Sequence, residues 1–90
     1  MRIVAGKWGG RLLKAPRGRG TRPTADKVRE GIFNVLTHLN ALDGAVVWDL
    51  YAGTGALGIE ALSRGAAAVT FVEAHGPTAG LIQANLKDLG

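Results

Sequence analysis

Apolar residues recur along the 90-residue chain with two spacings, which predict alternating helices and strands. The spacing of three and four residues that is typical of a helix occupies about 25–39, then 56–64, then the stretch that begins at Pro77. Between these segments lie two short continuous apolar runs, 45–50 and 67–72, which indicate buried parallel strands. This order predicts an α/β fold, the half of a doubly wound sheet with helices packed on it.

The first apolar run has no polar face, so we expect it to lie at the centre of the sheet with both faces covered. Trp48 alternates with core positions in this run, and we predict that it packs in the interior. Each predicted strand also has an acid at its tip, because Asp49 ends the first run and Glu73 follows the second.

The N-terminal residues form a separate unit. Residues 2–15 are typical of a hairpin that turns at Trp8-Gly9-Gly10. Proline, glycine and arginine dominate residues 16–23, which predicts a loop without regular structure. We therefore divide the chain into a basic hairpin and loop at 1–23 and an α/β domain, present as its N-terminal half, at 24–90.

Positive charge is concentrated near the N-terminus. Residues 1–30 carry nine lysines and arginines against two acids, whereas residues 31–90 carry two against five. A cationic arm on a mildly acidic body predicts a polyanionic partner, and we favour RNA over a solvated tail. Trp8 could stack on an RNA base or pack the hairpin onto the body. The candidate RNA-binding residues are Arg2, Lys7, Arg11, Lys14, Arg17, Arg19 and Arg22.

A glycine-rich turn joins the first predicted strand to the next helix. Gly53, Gly55 and Gly58 are spaced G-x-G-x-x-G, which lets the backbone turn sharply and approach a nucleotide closely. Glu73 is placed to accept hydrogen bonds from two ribose hydroxyls. Asp49, at the mouth of the turn, favours the ammonium and sulfonium groups of S-adenosylmethionine and offers nothing to a pyrophosphate. The sequence therefore predicts S-adenosylmethionine as the cofactor.

Two alternatives remain open for the turn on the residues alone. It could be a tight strand–helix connection in which Asp49 only caps the helix. It could also hold the pyrophosphate of a nicotinamide dinucleotide, as in a dehydrogenase.

The segment 49–66, together with Phe71-Val72-Glu73-Ala74, strongly resembles the bacterial 16S ribosomal RNA guanine-N2 methyltransferases. The segments 2–6 and 21–34 resemble the same family, so the likeness covers essentially the whole chain. The resemblance implies a Rossmann-like class I methyltransferase fold preceded by a β-hairpin. It also implies methyl transfer from S-adenosylmethionine to the exocyclic N2 of a guanine, with 16S rRNA or the small ribosomal subunit as partner.

The resemblance also implies roles for single residues. By this likeness Asp49, Gly53 and Gly55 line the methionine end of the cofactor and Glu73 holds its ribose. Independently of the likeness, Tyr51 lies at the turn and is a candidate contact of the cofactor or the base, with a structural role as the alternative. The likeness places Arg22, Thr24 and Asn34 near the mouth of the active site.

Members of that family carry a later Asn/Asp-Pro-Pro-Tyr/Phe motif that contacts the target base, and no Pro-Pro pair occurs in these 90 residues. We expect the chain to be the cofactor-binding half of the enzyme, without catalytic residues and inactive alone, and the full-length protein to be a monomer. The alternative is an RNA-binding module without catalysis. Without later strands, an edge and apolar faces of the first strand would lie open, which predicts a marginally stable or self-associating chain.

The composition argues against several other kinds of site. The chain has no cysteine, so disulfides and thiolate metal sites are excluded, and a cytoplasmic location is the natural expectation. No apolar run approaches the roughly 20 residues of a membrane span. His38 has no second ligand nearby, and His75, which follows Glu73, is expected to be a surface residue, so we expect no metal. We also expect no membrane partner.

Overall fold

The structure is a computed structural model that describes residues 2–14, 23–50, 52 and 55–90. The predicted alternation of helices and strands is confirmed, and the observed ends differ from the predicted ends by at most two residues. In chain order the elements are α1 (Pro23–His38), β1 (Val46–Asp49), α2 (Ala56–Ser63), β2 (Ala68–Phe71) and α3 (Gly76–Leu89). The parallel β1–α2–β2 unit is a partial Rossmann-like α/β fold.

The two strands form a parallel sheet that is covered on one face and open on the other. Val46 lies opposite Ala68, and Asp49 lies opposite Phe71. Because side chains alternate along a strand, each strand divides its residues between the two faces. The covered face, on which α2 packs, carries Val47, Asp49, Val69 and Phe71, and the exposed face carries Val46, Trp48, Ala68 and Thr70.

The prediction that Trp48 packs in the interior is wrong for this chain. Its side chain is 69% exposed, because strand alternation directs it away from α2 and none of the described elements covers that face. Val46 and Leu50 are also exposed. Their exposure agrees with the expectation that an apolar face of the first strand lies open in these 90 residues.

α2 is the centre of the packing. Ile59 on this helix joins a buried cluster with Ile3 and Leu13, while Ala61 joins a second cluster with Phe33. The first cluster connects α2 to the N-terminal segment, and the second connects it to α1. Most of α2 is consequently buried, which explains why its residues are small or apolar apart from Glu60.

Gly58 allows this helix to lie directly on the sheet. A Cβ atom at Gly58 would lie 2.3 Å from Cε1 of Phe71 and 2.8 Å from Cγ1 of Val69. A side chain at this position would force Phe71 and Val69 to shift, so glycine fits best. The structure places α2 directly against β2, as the third glycine of the turn predicts.

The N-terminal segment folds back on itself, but its pairing is short. Arg2 and Leu12 form one antiparallel bridge. Ile3 N–H donates to the carbonyl of Arg11 at 2.9 Å, and Gly10 N–H donates to the carbonyl of Ile3 at 2.7 Å. The predicted hairpin is thus present as a fold-back over 2–14, and the division of the chain at 23/24 stays a prediction.

Candidate functional site

Asp49 and Glu73 lie at the same edge of the sheet. Asp49 is the last residue of β1, and its carbonyl accepts a hydrogen bond from Val72 N–H at 2.9 Å. Glu73 follows Val72 directly. Since the carboxyl ends of parallel strands meet at one edge, and ligands of α/β folds bind outside that edge, both predicted acids stand where a cofactor would be bound.

The Asp49 side chain already has one structural partner. Its Oδ2 accepts a hydrogen bond from Gly58 N–H at 3.1 Å, and the residue is 8% exposed. Gly58 lies in the first turn of α2, so Asp49 satisfies an amide that has no partner within the helix. This is the capping role that the sequence left open. Within the described residues no second donor to this carboxylate occurs, which leaves Oδ1 able to accept from a ligand.

The position of Asp49 perturbs its ionisation. Burial raises the pKa of the Asp49 carboxyl above its ordinary value, and the hydrogen bond from Gly58 opposes part of that rise. Keeping the carboxylate charged at neutral pH therefore costs folding free energy. A cation beside it would offset some of that cost, because opposite charges attract more strongly where water is excluded.

The turn before α2 requires glycine at position 55. Gly55 has φ = 85° and stands at the N-cap of α2, in the left-handed region that other residues rarely adopt. A Cβ atom there would also lie 3.2 Å from Cγ1 of Ile82. Gly53 and Tyr51 lie outside the described residues, so their roles stay predictions.

A cleft of about 370 Å³ opens beside Asp49, and we call it the Asp49 cleft. Its described walls are largely apolar, and Asp49 is the charged residue among them. An apolar cleft with one carboxylate suits a ligand that joins a cationic group to an apolar body. The described lining residues are Phe33, Val47, Trp48, Asp49, Leu50, Leu57 and Gly58.

Glu73 is partly exposed and is oriented by the start of α3. Its Oε2 accepts a hydrogen bond from His75 N–H at 3.0 Å. His75 caps α3, because its ring accepts from Thr78 N–H at 3.4 Å, and Pro77 suits the first turn of the helix. The carboxylate of Glu73 is therefore held at the sheet edge by the backbone that begins the next helix.

Four of the seven predicted RNA-binding cations are described, and all four are exposed: Arg2, Lys7, Arg11 and Lys14. Their surroundings differ. Lys14 Nζ lies 3.1 Å from Asp88 Oδ2, so its charge is partly neutralised. Lys7 Nζ lies 4.5 Å from the centre of the Trp8 ring. Arg17, Arg19 and Arg22 lie outside the described residues.

A second cleft, of about 460 Å³, separates the N-terminal segment from α1, and we call it the hairpin cleft. Arg2 and Lys27 contribute positive charge to its walls. Lys27 was not among the predicted site residues, because only the folded chain brings the first turns of α1 beside Arg2. The described lining residues are Arg2, Ile3, Val4, Gly10, Leu12, Lys27 and Glu30.

Two further residues have structural partners. Trp8 packs against the buried cluster that contains Ile3, so it helps to hold the hairpin on the body. Asn34 Oδ1 accepts a hydrogen bond from Arg64 Nη1 at 3.1 Å, at the end of α2 opposite to Gly55. Arg22 and the side chain of Thr24 lie outside the described part of the chain, so their predicted roles stay predictions.

Within the described ranges, no group of three or more histidine, cysteine or acidic residues stands close enough to hold a metal ion. None of the helices in that part of the chain has the length and apolar character required to cross a membrane.

Comparison with known proteins places this geometry in a family. The family model described as "Conserved hypothetical protein 95" matches residues 1–90. The Bacillus subtilis protein YlbH, described as a candidate rRNA methyltransferase, is 47% identical over 89 residues, which are 99% of this chain and 47% of that protein. The Escherichia coli ribosomal RNA small subunit methyltransferase D is 49% identical over 73 residues, which are 81% of this chain and 36% of that protein.

A solved structure agrees with these matches. The Escherichia coli protein yhhF, described as a candidate methyltransferase, superposes with a TM-score of 0.86 at 44% identity, over 99% of this chain and 47% of that one. The resemblance of the sequence motifs to a family of rRNA methyltransferases is thereby confirmed. The chain spans about half the length of these relatives or less.

Proposed function

The chain belongs to the family described as "Conserved hypothetical protein 95", and on that premise we propose that it is the cofactor-binding half of an S-adenosylmethionine-dependent methyltransferase acting on 16S rRNA. The observation that carries the proposal is the placement of Asp49 and Glu73 at one sheet edge, next to the left-handed turn at Gly55. The names of the relatives support methylation of small-subunit rRNA.

The residues present fit S-adenosylmethionine. When bound, this cofactor would supply a methyl group on a positively charged sulfur. We propose that the acceptor is the exocyclic N2 of one guanine, which gains the methyl group and loses a proton while the sulfur leaves as a neutral thioether. Asp49 favours the cationic end of the ligand, and Glu73 accepts hydrogen bonds from its ribose hydroxyls. Because Gly55 has no Cβ atom, the cofactor can approach the backbone of the turn closely. Tyr51 and Gly53 are further proposed contacts.

The cationic N-terminal segment is the proposed RNA-binding surface. Arg2 and Lys27 line the hairpin cleft, while Lys7 and Arg11 are exposed elsewhere on the N-terminal segment. Positive side chains on one surface attract RNA phosphates and release counterions. Arg17, Arg19 and Arg22 belong to the same proposed surface by sequence, and we propose that the protein acts on rRNA in the cytoplasm.

We also propose that these 90 residues do not transfer methyl groups by themselves. The Pro-Pro motif that contacts the target base in the family is absent from them. The chain would bind the cofactor and RNA, and residues outside this 90-residue segment would hold the guanine. With those residues added, we expect a monomer.

The function can be tested by joining residues 1–90 to the C-terminal part of the Escherichia coli relative. The chimera is incubated with labelled S-adenosylmethionine and 16S rRNA from cells that lack the corresponding enzyme, and the product is digested and analysed by mass spectrometry. We expect N2-methylguanine at one position and no transfer by the 90 residues alone. Methylation of another atom, or no transfer by a folded chimera that binds rRNA, would contradict the proposal.

A non-catalytic RNA-binding module is the second candidate, and the position of Arg2 and Lys27 on one cleft favours it. The two candidates differ in their ligands. A binding module would bind RNA with an affinity that falls steeply with salt and would not bind S-adenosylmethionine. The methyltransferase half binds both.

A further inference from the structure

Glu60 is a completely buried carboxylate, with 0% exposure, between the N-terminal segment and two helices. Its Oε1 accepts from Val4 N–H at 2.9 Å, and its Oε2 accepts from Ala5 N–H at 3.1 Å. Arg64 Nε lies 2.8 Å from Oε2, and Arg29 Nε lies 3.5 Å from Oε1. Both oxygens are thus in contact with backbone donors of the hairpin and with a guanidinium group.

Ser63, three residues along the same helix, binds the next part of the hairpin. Its hydroxyl accepts from Trp8 N–H at 3.0 Å and donates to the carbonyl of Ala5 at 2.6 Å, while its carbonyl accepts from Lys7 N–H at 2.8 Å. Arg29 adds a bond from its Nη2 to the carbonyl of Arg2. The backbone of residues 2–8 is therefore held mainly by the C-terminal half of α2.

The opposite end of α2 carries the proposed cofactor site. Gly55 caps that end, and Asp49 accepts from the amide of Gly58. The helix has eight residues, so its two ends are roughly 12 Å apart at 1.5 Å per residue. One short buried helix thus contacts the proposed RNA-binding segment at one end and the proposed cofactor turn at the other.

We propose that Glu60 is a positioning residue that fixes the cationic hairpin relative to the cofactor turn, with α2 as the rigid connection. The inference rests on the proposed function, in which the hairpin cations bind RNA. A buried carboxylate surrounded by two arginines and two amides fixes an orientation, because each donor must point at one of two oxygens. RNA phosphates held by Arg2 and Lys27 would then lie at a set distance from the methyl donor.

Two glycines provide a matched pair of variants. Gly6 and Gly44 both have left-handed φ, at 84° and 74°. A Cβ atom at Gly6 would lie 1.9 Å from the carbonyl oxygen of Ser63, whereas nothing lies within 4 Å of one at Gly44, between α1 and β1. Gly6→Ala therefore pushes the hairpin away from α2, and Gly44→Ala introduces similar backbone strain outside the hairpin.

The experiment measures RNA and S-adenosylmethionine affinity for the chain and for Glu60→Gln, Gly6→Ala and Gly44→Ala, together with hydrogen exchange at Val4 and Ala5. A Trp48→Phe background leaves Trp8 as the fluorescent reporter of hairpin docking. We expect Glu60→Gln and Gly6→Ala to weaken RNA binding about tenfold and to reduce its salt dependence. Cofactor affinity should stay within about twofold of the original in all variants, as should RNA affinity in Gly44→Ala.

The outcomes separate this inference from the proposed function. If the original chain binds no RNA, the proposed RNA function fails and the inference fails with it. If the original chain binds RNA, and Gly6→Ala exposes Val4 and Ala5 without loss of RNA affinity, only the inference is overturned. A parallel fall in cofactor affinity would also overturn it, since Glu60 would then act on the whole fold. Should Glu60→Gln not fold, the glycine pair decides the result.

Discussion

A Cβ atom on Gly58 would lie 2.3 Å from Cε1 of Phe71, so α2 packs directly on β2. We expect Gly58→Ala to lower the free energy of unfolding by about 1–3 kcal/mol, because the added methyl group forces the helix and the strand apart. Thermal unfolding followed by circular dichroism measures the change.

Gly80 supplies the control for that prediction. It also lies within a helix, α3, but nothing is within 4 Å of a Cβ atom built on it. Gly80→Ala should raise the free energy of unfolding by up to about 1 kcal/mol, since alanine favours the helix. A stabilised Gly58→Ala variant would contradict the close packing of α2 on β2.

Asp49→Asn should change the pH dependence of stability. The pKa of Asp49 is raised in the folded chain, so its contribution to stability is complete below the unfolded value of 3.8 and is lost as pH rises through the folded pKa. The asparagine variant has no such titration and keeps an oxygen that can accept from Gly58 N–H. In urea unfolding from about pH 3 to about pH 7, the free energy of unfolding of the variant should rise relative to that of the original chain as pH rises.

Equal pH profiles for the two chains would contradict the assigned environment of Asp49. Asp43→Asn is a suitable control, since Asp43 is an exposed acid outside the site. This variant controls for the loss of one acidic side chain outside the Asp49 cleft.

The hairpin cleft predicts which cations matter most for RNA. Arg2→Gln and Lys27→Gln should each weaken RNA binding and reduce the slope of log affinity against log salt by about one. Lys14→Gln removes the same formal charge, but Lys14 is paired with Asp88, so this substitution should weaken RNA binding less. Fluorescence anisotropy at several salt concentrations measures the slopes. Identical losses in all three variants would show that only net charge acts.

The open sheet face predicts self-association of the 90 residues. Trp48 and Val46 are exposed side by side with Leu50 at the end of the strand, and soluble monomers rarely expose large apolar patches. Trp48→Gln should shift the chain toward monomer. Sedimentation velocity over a range of concentrations measures the shift, and a chain that is monomeric at every concentration would contradict the prediction.

Local patterns predicted the elements and much of the sheet edge. Apolar spacing located all five helices and strands, and the spacing of the glycines predicted the turn and the close packing at Gly58. Asp49 ends β1 and Glu73 lies two residues beyond β2, so their shared edge is a consequence of parallel pairing. Such features depend on neighbours in the sequence, which is why they can be recognised without a structure.

Long-range contacts were beyond the reach of such patterns. Glu60 binds amides that are 56 and 55 residues away, and in the sequence it is one more acid on a helix. Arg29 counted toward the basic N-terminal region, yet it is buried against Glu60. The apolar strand predicted an interior position for Trp48, and no pattern states which face of a strand receives a helix.

Calorimetric titration of S-adenosylmethionine tests most directly whether the carboxylate of Asp49 serves a cationic methyl donor. The original chain should bind this ligand and not an oxidised nicotinamide dinucleotide, and Asp49→Asn should weaken binding about tenfold while the variant remains folded. Equal affinity of the two chains for S-adenosylmethionine, or binding of the dinucleotide by the original chain, would contradict the account.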